Sequence, residues 1–292
     1  MKHAVIQQNN DEGLPSSRLL CLLEVSKSSY YAWLKRKPSK RDIANNALRE
    51  QIAKVYWQHQ GRYGYRRIYE ELLESFDYKG SRERIRRQMR VLGLKAIIKR
   101  RFKVTTDSHH KKVVAPNLLK QNFAMGKVNQ AWVGDITYIR VSNHQWVYLT
   151  VVMDLYSRKI IGWEMNKLMK ADLVCDALTM ALSNRSYPEG VIIHTDRGSQ
   201  YCSKQYQRLI KENHLICSMS GKGNCYDNVV CESFFHTLKT EHVHRFNYET
   251  REQAKRSVFW YIEAYYNRIR RHSGIDYQSP INFEERALKN AS

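Results

Sequence analysis

Three apolar runs rich in β-branched and aromatic residues follow one another between residues 131 and 166: AWVGDITYIRV, HQWVYLTVVMDLY and KIIGWEMN. No other feature narrows the fold as much. Each run has the length and composition of a strand, with Asn143 marking a first turn and Ser157-Arg158 a second. The chain then alternates. A helical pattern over KADLVCDALTMALSNR leads to a strand at VIIHT, a helix over SKQYQRLIKENH, a short strand at ICSMS, and helices from about Asp227 onward. Three strands followed by alternating helix and strand predict a mixed α/β sheet covered on both faces.

Ahead of this region the chain is helical and basic. Of the 292 residues, 49 are Lys or Arg and 28 Asp or Glu, a formal charge of +21 that marks a nucleic-acid binder. Residues 1–103 hold 24 Lys and Arg against 10 Asp and Glu, a net +14, so most of the excess sits in the amino-terminal third. SSRLLCLLEVSKSSYYAW reads as two short helices around a Val-Ser break, with Ser26 or Ser28 as N-cap of the second, the outline of a helix-turn-helix. KRKPSKRD, with Pro38, reads as a linker. Three further helices follow, in IANNALREQIAKVYWQ, GYRRIYEELLES and SRERIRRQMRVLG, the last capped by Ser81. In that last helix Ile85, Met89 and Leu92 should face a core, while Arg82, Arg84, Arg86, Arg87 and Arg90 cover the remaining circumference. Glu83 is the one acid of SRERIRRQMR, and a merely solvated face would mix signs, so this helix is expected to face DNA.

Three carboxylates stand at distinct points of the α/β order. Asp135 falls inside the first strand and Asp196 just beyond the end of the fourth, adjacent if those strands pair. Glu232 lies on a helix, with 35 residues between it and Asp196. The carboxyl ends of strands in such sheets are where ligands collect. A lone Asp beside a strand is ordinarily a turn residue, but three acids from separate elements suit two-metal phosphoryl transfer. Mg²⁺ or Mn²⁺ prefers oxygen donors and keeps waters, so carboxylates can hold two ions about 3.5–4 Å apart with a phosphate oxygen between them. His236 and Lys239, at i+4 and i+7 from Glu232, share its helix face. Lys239 is placed to grip a DNA end; His236 fits a plain surface position equally well. In SGKGNCYDN, Gly221 and Gly223 predict a mobile loop with Lys222 as a phosphate contact, and Asp227 and Asn228 suit helix caps as well as ligands. Asp154, in the hairpin MDLYSRKIIGW, suits turn hydrogen bonding.

The words WVGDITYI, HTDRGSQY, YDNVVCESFFHTLK and YYNRIRRHSGIDYQSP resemble the bacterial insertion-sequence transposases of the IS-three group, within the superfamily of retroviral integrases and transposases that share an Asp-Asp-Glu signature. The likeness runs from about Ser16 to Phe283. It implies a ribonuclease-H-like catalytic core preceded by small all-α helix-turn-helix modules, with Asp135, Asp196 and Glu232 as catalytic metal ligands and a basic residue at Lys239. It also implies a substrate, the terminal inverted repeats of an element together with target DNA, and a copy-out, paste-in route through a circular intermediate. The implied partners are further copies of this chain on DNA and the product of an upstream reading frame, or a frameshift fusion with it. The expected divisions are residues 1–37, 43–103, a linker at 104–125, the core at 126–245 and a carboxyl-terminal helix with a basic tail at 246–292.

Other observations limit the alternatives. Six cysteines show no C-x-x-C pair, which indicates reduced thiols rather than a disulfide framework or zinc site, and His109 and His110 stand in a polar linker without downstream zinc partners. No uninterrupted apolar stretch approaches about 18 residues, and MKHAVIQQNNDEG lacks a signal-peptide core, so a cytoplasmic, nucleoid-associated protein without a membrane partner is expected. YIEAYYNRIRRHSGIDYQSPINFEE begins as an aromatic helix and reads as irregular toward Pro280. Its Arg268, Arg270, Arg271 and His272 are DNA candidates, and Tyr261, Ala264 and Tyr265 have core spacing. Two rival readings remain. A nuclease without strand transfer would have little need of the amino-terminal helices, and a non-catalytic DNA-binding regulator would not need three intact acids.

Overall fold

The structure, a computed structural model, describes residues 2–97, 114–142, 145–221 and 225–291. Asn143, Lys222, Gly223, His109 and His110 lie outside the described residues. The chain divides into two compact units, residues 1–60 with 71–95, and residues 61–70 with 96–292.

The first unit is all helical. Helices α1 (Lys2–Asp11), α2 (Ser16–Leu22) and α3 (Lys27–Leu34) meet over Ile6, Leu20 and Tyr30, all buried. Ser26 caps α3 by accepting from the Ser29 N–H. The sequence reading missed α1, and it placed the start of α4 (Lys40–Gln58) too late. KRKPSKRD is not a linker throughout: Ser39 and Asp42 form a capping box in which the Ser39 side chain accepts from the Asp42 N–H and the Asp42 carboxylate accepts from the Ser39 N–H. After α5 (Tyr65–Phe76), whose first turns belong to the second unit, Ser81 caps α6 (Arg82–Val91). Helix α6 packs on α4, burying Ile85 and Met89, and Arg49 Nε donates to the buried Gln88 Oε1 at 2.7 Å.

The second unit is built on a five-stranded sheet: β1 (Ala131–Val141), β2 (Gln145–Asp154), β3 (Ile160–Asn166), β4 (Ile192–Thr195) and β5 (Ile216–Met219), in the order β3-β2-β1-β4-β5. The hairpin-linked strands β1, β2 and β3 pair antiparallel, while β4 pairs parallel with both β1 and β5. This is the ribonuclease-H-like mixed sheet. One face packs under α7 (Ala171–Asn184) and α8 (Lys204–Glu212), burying Trp132, Val152, Ile193 and Tyr206. Helix α7 approaches β3 so closely that a Cβ at Gly162 would collide with the Ala177 carbonyl. Trp132, fully buried with Nε1 donating to Asn129 Oδ1, is the largest side chain of this layer, and its truncation to Ala would cost about 3–5 kcal/mol.

The opposite face, with Val133, Val151 and Leu149, packs under α9 (Val229–Glu241), α10 (Arg251–Phe259) and a π-helical segment, Trp260–Tyr266. The wider turn places Tyr261, Tyr265 and Tyr266 all inward. Asn267, just after it, completes the start of β3 by accepting from the Ile160 N–H and donating to the Ile160 carbonyl. The tail is not irregular. Pro280 opens α11 (Pro280–Ala291), because proline at the first helical position lacks only an N–H that would have no partner there, and Ser279 Oγ accepts from the Asn282 N–H. Among the described residues no helix is long and apolar enough to cross a membrane.

Candidate active site

The parallel pairing of β1 with β4 sets Gly134 against Thr195, so the next residues, Asp135 and Asp196, emerge side by side. Asp135 shares its sheet face with Val133 and Val151, the face on which α9 packs, and Glu232 arrives from the first turn of that helix. Asp135 senses both of the other acids. Burial first, then the charges of Asp196 and Glu232, push the Asp135 carboxyl well above its ordinary range, against a backbone hydrogen bond from Ile136 and the attraction of Lys239. Burial also raises Glu232. Tyr201, buried next to Thr150 Oγ1, is driven up by burial and then by Asp135, and Cys231 by burial and then by Asp135, with Glu232 adding to it.

Each acid has a local reason for its place. Asp196 Oδ1 accepts from the Gly198 N–H at 2.8 Å, and a Cβ at position 198 would sit 2.9 Å from that oxygen. Glu232 and Ser233 are exposed on α9, and His236 and Lys239 continue that face half-buried. Lys239 Nζ lies 4.5 Å from the centre of the Tyr138 ring, and burial lowers the lysine while Asp135 supports its charge. Tyr138 makes an edge contact with the exposed Trp146. The sequence reading did not single out Tyr138 or Tyr201, although both lie inside the words that carry Asp135 and Asp196.

The donor set is all oxygen, which fits a hard divalent cation, and a dication would offset the repulsion that raises Asp135. The side chains are not drawn into a single cage: among the described residues no three His, Cys, Asp or Glu groups are close enough to hold one ion together.

Other candidates separate. Asp154 is fully buried and bonds the Asn129 and Tyr156 N–H groups, with Arg185 beside it, as a turn residue does. Asp227 Oδ2 accepts from the Gly221 N–H and from Asn117. Asn228 occupies the N-cap position of α9 without a side-chain cap bond. Arg270 is corrected outright as a DNA candidate, since it is buried and clasps Glu241 through Nε and Nη2 at 2.8 and 2.7 Å. Arg271 is half-buried, with Nη1 donating to the Tyr277 carbonyl. In the first unit Arg82, Arg86, Arg87 and Arg90 are exposed on α6. Arg84 is half-buried and donates twice to Asn45 Oδ1, and Arg86 pairs with Glu83.

A parallel β1–β4 step thus carries two acids, and a third comes from a helix packed across the sheet. Models of the integrase core domain match residues 126–225 and 232–288, and an HTH-like domain model matches residues 44–102. The chain is 42% identical to the transposase InsF for insertion sequence IS3A of Escherichia coli over 99% of this chain and all of that protein. It is 41% identical to a 31 kDa protein of insertion element IS600 of Shigella sonnei, over 90% of this chain and 96% of that one. The catalytic core domain of HTLV-2 integrase, solved in complex with magnesium, aligns at 16% identity and a TM-score of 0.42, covering 53% of this chain and 96% of that one. The chain belongs to the insertion-sequence transposases of the IS3 family.

Proposed function

We propose that Asp135, Asp196 and Glu232 are the catalytic carboxylates of this transposase, holding two divalent ions, Mg²⁺ or Mn²⁺, for cleavage and strand transfer at the ends of an insertion sequence. The observation that carries the reading is geometric: the β1–β4 pairing sets Asp135 beside Asp196, and Glu232 comes from the first turn of the helix packed on the same face, with burial and both other acids raising Asp135 against the pull of Lys239. Ions held there would supply Lewis-acid stabilisation of the attacking and departing oxygens of an in-line displacement. The chain supplies the rest. Asp135 and Asp196 are fixed by the strand pairing and by backbone N–H groups, Glu232 is exposed to approaching DNA, and Lys239 adds a cation on the same helix face to hold a phosphate.

The remaining assignments extend that reading. Terminal inverted repeats and target DNA are the substrates, exposed arginines of α6 bind the repeat, and Lys222 contacts a phosphate. The chain works in the cytoplasm as a homo-oligomer on DNA, together with the upstream reading-frame product or as a fusion with it. Incubating labelled terminal DNA with the full chain and Mg²⁺ tests it: joined strands are expected. Free nicks alone would indicate a nuclease, and a shifted band without chemistry a regulator.

A further inference from the structure

A cavity of about 350 Å³ lies against α9 and is separate from the carboxylates. Arg67, Arg158 and Arg270 line it together with His272, and its described lining contains no Asp or Glu. Two of these arginines are engaged by Glu241, Arg67 at 3.3 Å and Arg270 at 2.7 Å. Arg158 is different. It projects from the β2–β3 turn at a left-handed φ of 63°, and its Nη1 is buried with no hydrogen-bond partner. Burial works against its charge, and Cys231, one residue before Glu232, sits within electrostatic reach of Arg158, Asp135 and Glu232 alike. Burial, and then the charges of Arg270, Arg67 and Arg158, push His272 well below its ordinary range. Val229, Ser233, Ser273 and Gly274 are lining residues that are also exposed, so they form the mouth, and Ser233 adjoins Glu232 in sequence.

A buried guanidinium nitrogen without a hydrogen-bond partner, in a cavity lined by three arginines of which Glu241 engages two, and reached through a polar mouth, matches a phosphate better than any neutral ligand. Arginine presents a fixed fork of donors suited to phosphate oxygens. Building on the transposase reading above, we propose that this cavity binds a backbone phosphate of the terminal DNA neighbouring the one presented to Asp135, Asp196 and Glu232, with Arg158 donating to a non-bridging oxygen. Its role is positioning. It would hold the strand in register while the carboxylates act on the next bond.

The test is binding of terminal duplex DNA to the full chain in chelator, which removes metal and chemistry from the readout. A set of duplexes carries one neutral methylphosphonate each, stepped through the positions near the cleavage point. Wild type should lose about tenfold in affinity at one position, as for a lost charge-assisted hydrogen bond, while Arg158→Gln should be indifferent there. Arg158→Gln should also lower the slope of log affinity against log salt by about 0.9, one phosphate contact. Gly274→Asp covers the case in which Arg158→Gln fails to fold. A Cβ there meets nothing within 4 Å, so the change adds a negative charge at the mouth without disturbing packing, and it should weaken binding at the same position, unlike Gly274→Ala.

Equal methylphosphonate losses in wild type and both charge variants would overturn the proposal. So would thermal stabilisation of wild type by inorganic phosphate with no methylphosphonate position silenced, which would mark a free-phosphate site. A wild type that neither binds nor joins terminal DNA would instead overturn the transposase reading, and this inference with it.

Discussion

The two ends of α9 handle buried charge in opposite ways. At its start Glu232 joins Asp135 and Asp196, and the Asp135 carboxyl is driven up by burial and by its own kind. At its end Glu241 is buried more completely than these, yet the Arg270 and Arg67 guanidinia and the Tyr261 hydroxyl hold its carboxyl down to about 2 against the pull of burial. In the second cluster the carboxylate is answered from within the fold by two guanidinia. In the first, Lys239 offsets the repulsion at Asp135 only in part, which suits a bound cation. Residue type and burial alone do not separate a working site from a structural one; the balance of internal counter-charge does.

The largest expected effect falls on the open end. Asp135→Asn, Asp196→Asn and Glu232→Gln should each reduce joining of terminal DNA by about a thousandfold or more, roughly 4 kcal/mol at 1.36 kcal/mol per decade, while DNA binding in chelator is retained. Because ionised Asp135 is disfavoured in the metal-free fold, Asp135→Asn should keep or raise the melting temperature measured without metal. A variant that joins DNA normally would remove its residue from the site, and a large fall in melting temperature would make Asp135 structural, like Glu241.

Glu241→Gln should behave in the reverse sense. Removing one partner of a buried ion pair leaves Arg270 uncompensated, and the loss expected in urea unfolding is about 3–5 kcal/mol. Any fall in activity should follow the folded fraction. A loss below about 1 kcal/mol would mean that water or Tyr261 relieves Arg270, and the contrast between the two ends would collapse.

Both the fold and the elements that carry the three candidate carboxylates were legible because their signals are local. Alternating apolar runs announce strands, and Ser26 and Ser81 announce helix starts. What escaped depended on partners distant in sequence or on ambiguous punctuation. Helix α1 buries a single residue, Ile6, too little for a periodicity to register. Pro38 and Pro280 both read as breaks, yet Ser39 with Asp42 caps α4 and Pro280 starts α11. Arg270 resembled a DNA contact because its partner, Glu241, lies 29 residues away. The place of Lys239 on the helix face of Glu232 was readable from helical spacing, whereas its neighbour Tyr138 comes from another element.

The closed cluster also sets the acid limit of the fold. Glu241 has a folded value of about 2 against an ordinary 4.5, so its stabilisation is present above pH 4.5 and lost as pH falls toward 2. His242, buried beside Arg62 and bonded to Ser257, is lowered to about 4 from 6.5, so its contribution is present above pH 6.5 and lost between 6.5 and 4. In each window the unfolded chain binds more protons, and stability should fall by up to about 1.4 kcal/mol per pH unit for each group. Asp135 acts in the opposite sense, since a raised carboxyl favours the fold at low pH and loses that contribution as pH rises through its folded value. Unfolding midpoints followed from pH 7 to 3 should therefore decline, with a shallower decline below pH 4.5 in Glu241→Gln. Identical slopes for the two proteins would show that Glu241 is not the group that titrates.

The smallest effect concerns arginines, where the same division into open and closed should hold. Arg87 and Arg90 are exposed on α6, with Arg86 tied only to the exposed Glu83, whereas Arg84 is spent on Asn45 and Arg271 on the Tyr277 carbonyl. Phosphate contacts made by exposed arginines release counterions, so each of Arg86→Ala, Arg87→Ala and Arg90→Ala should weaken terminal-DNA binding modestly and lower the salt slope by about 0.9. Arg84→Ala should instead lower stability through its lost bonds to Asn45 and leave the slope nearly unchanged. Arg271→Ala sharpens the comparison further, because a residue held by its own fold should alter the melting temperature more than the slope. If Arg84→Ala or Arg271→Ala lowered the slope as much as Arg87→Ala, an internal hydrogen bond would not keep an arginine from DNA, and the rule drawn from the two ends of α9 would hold for carboxylates alone.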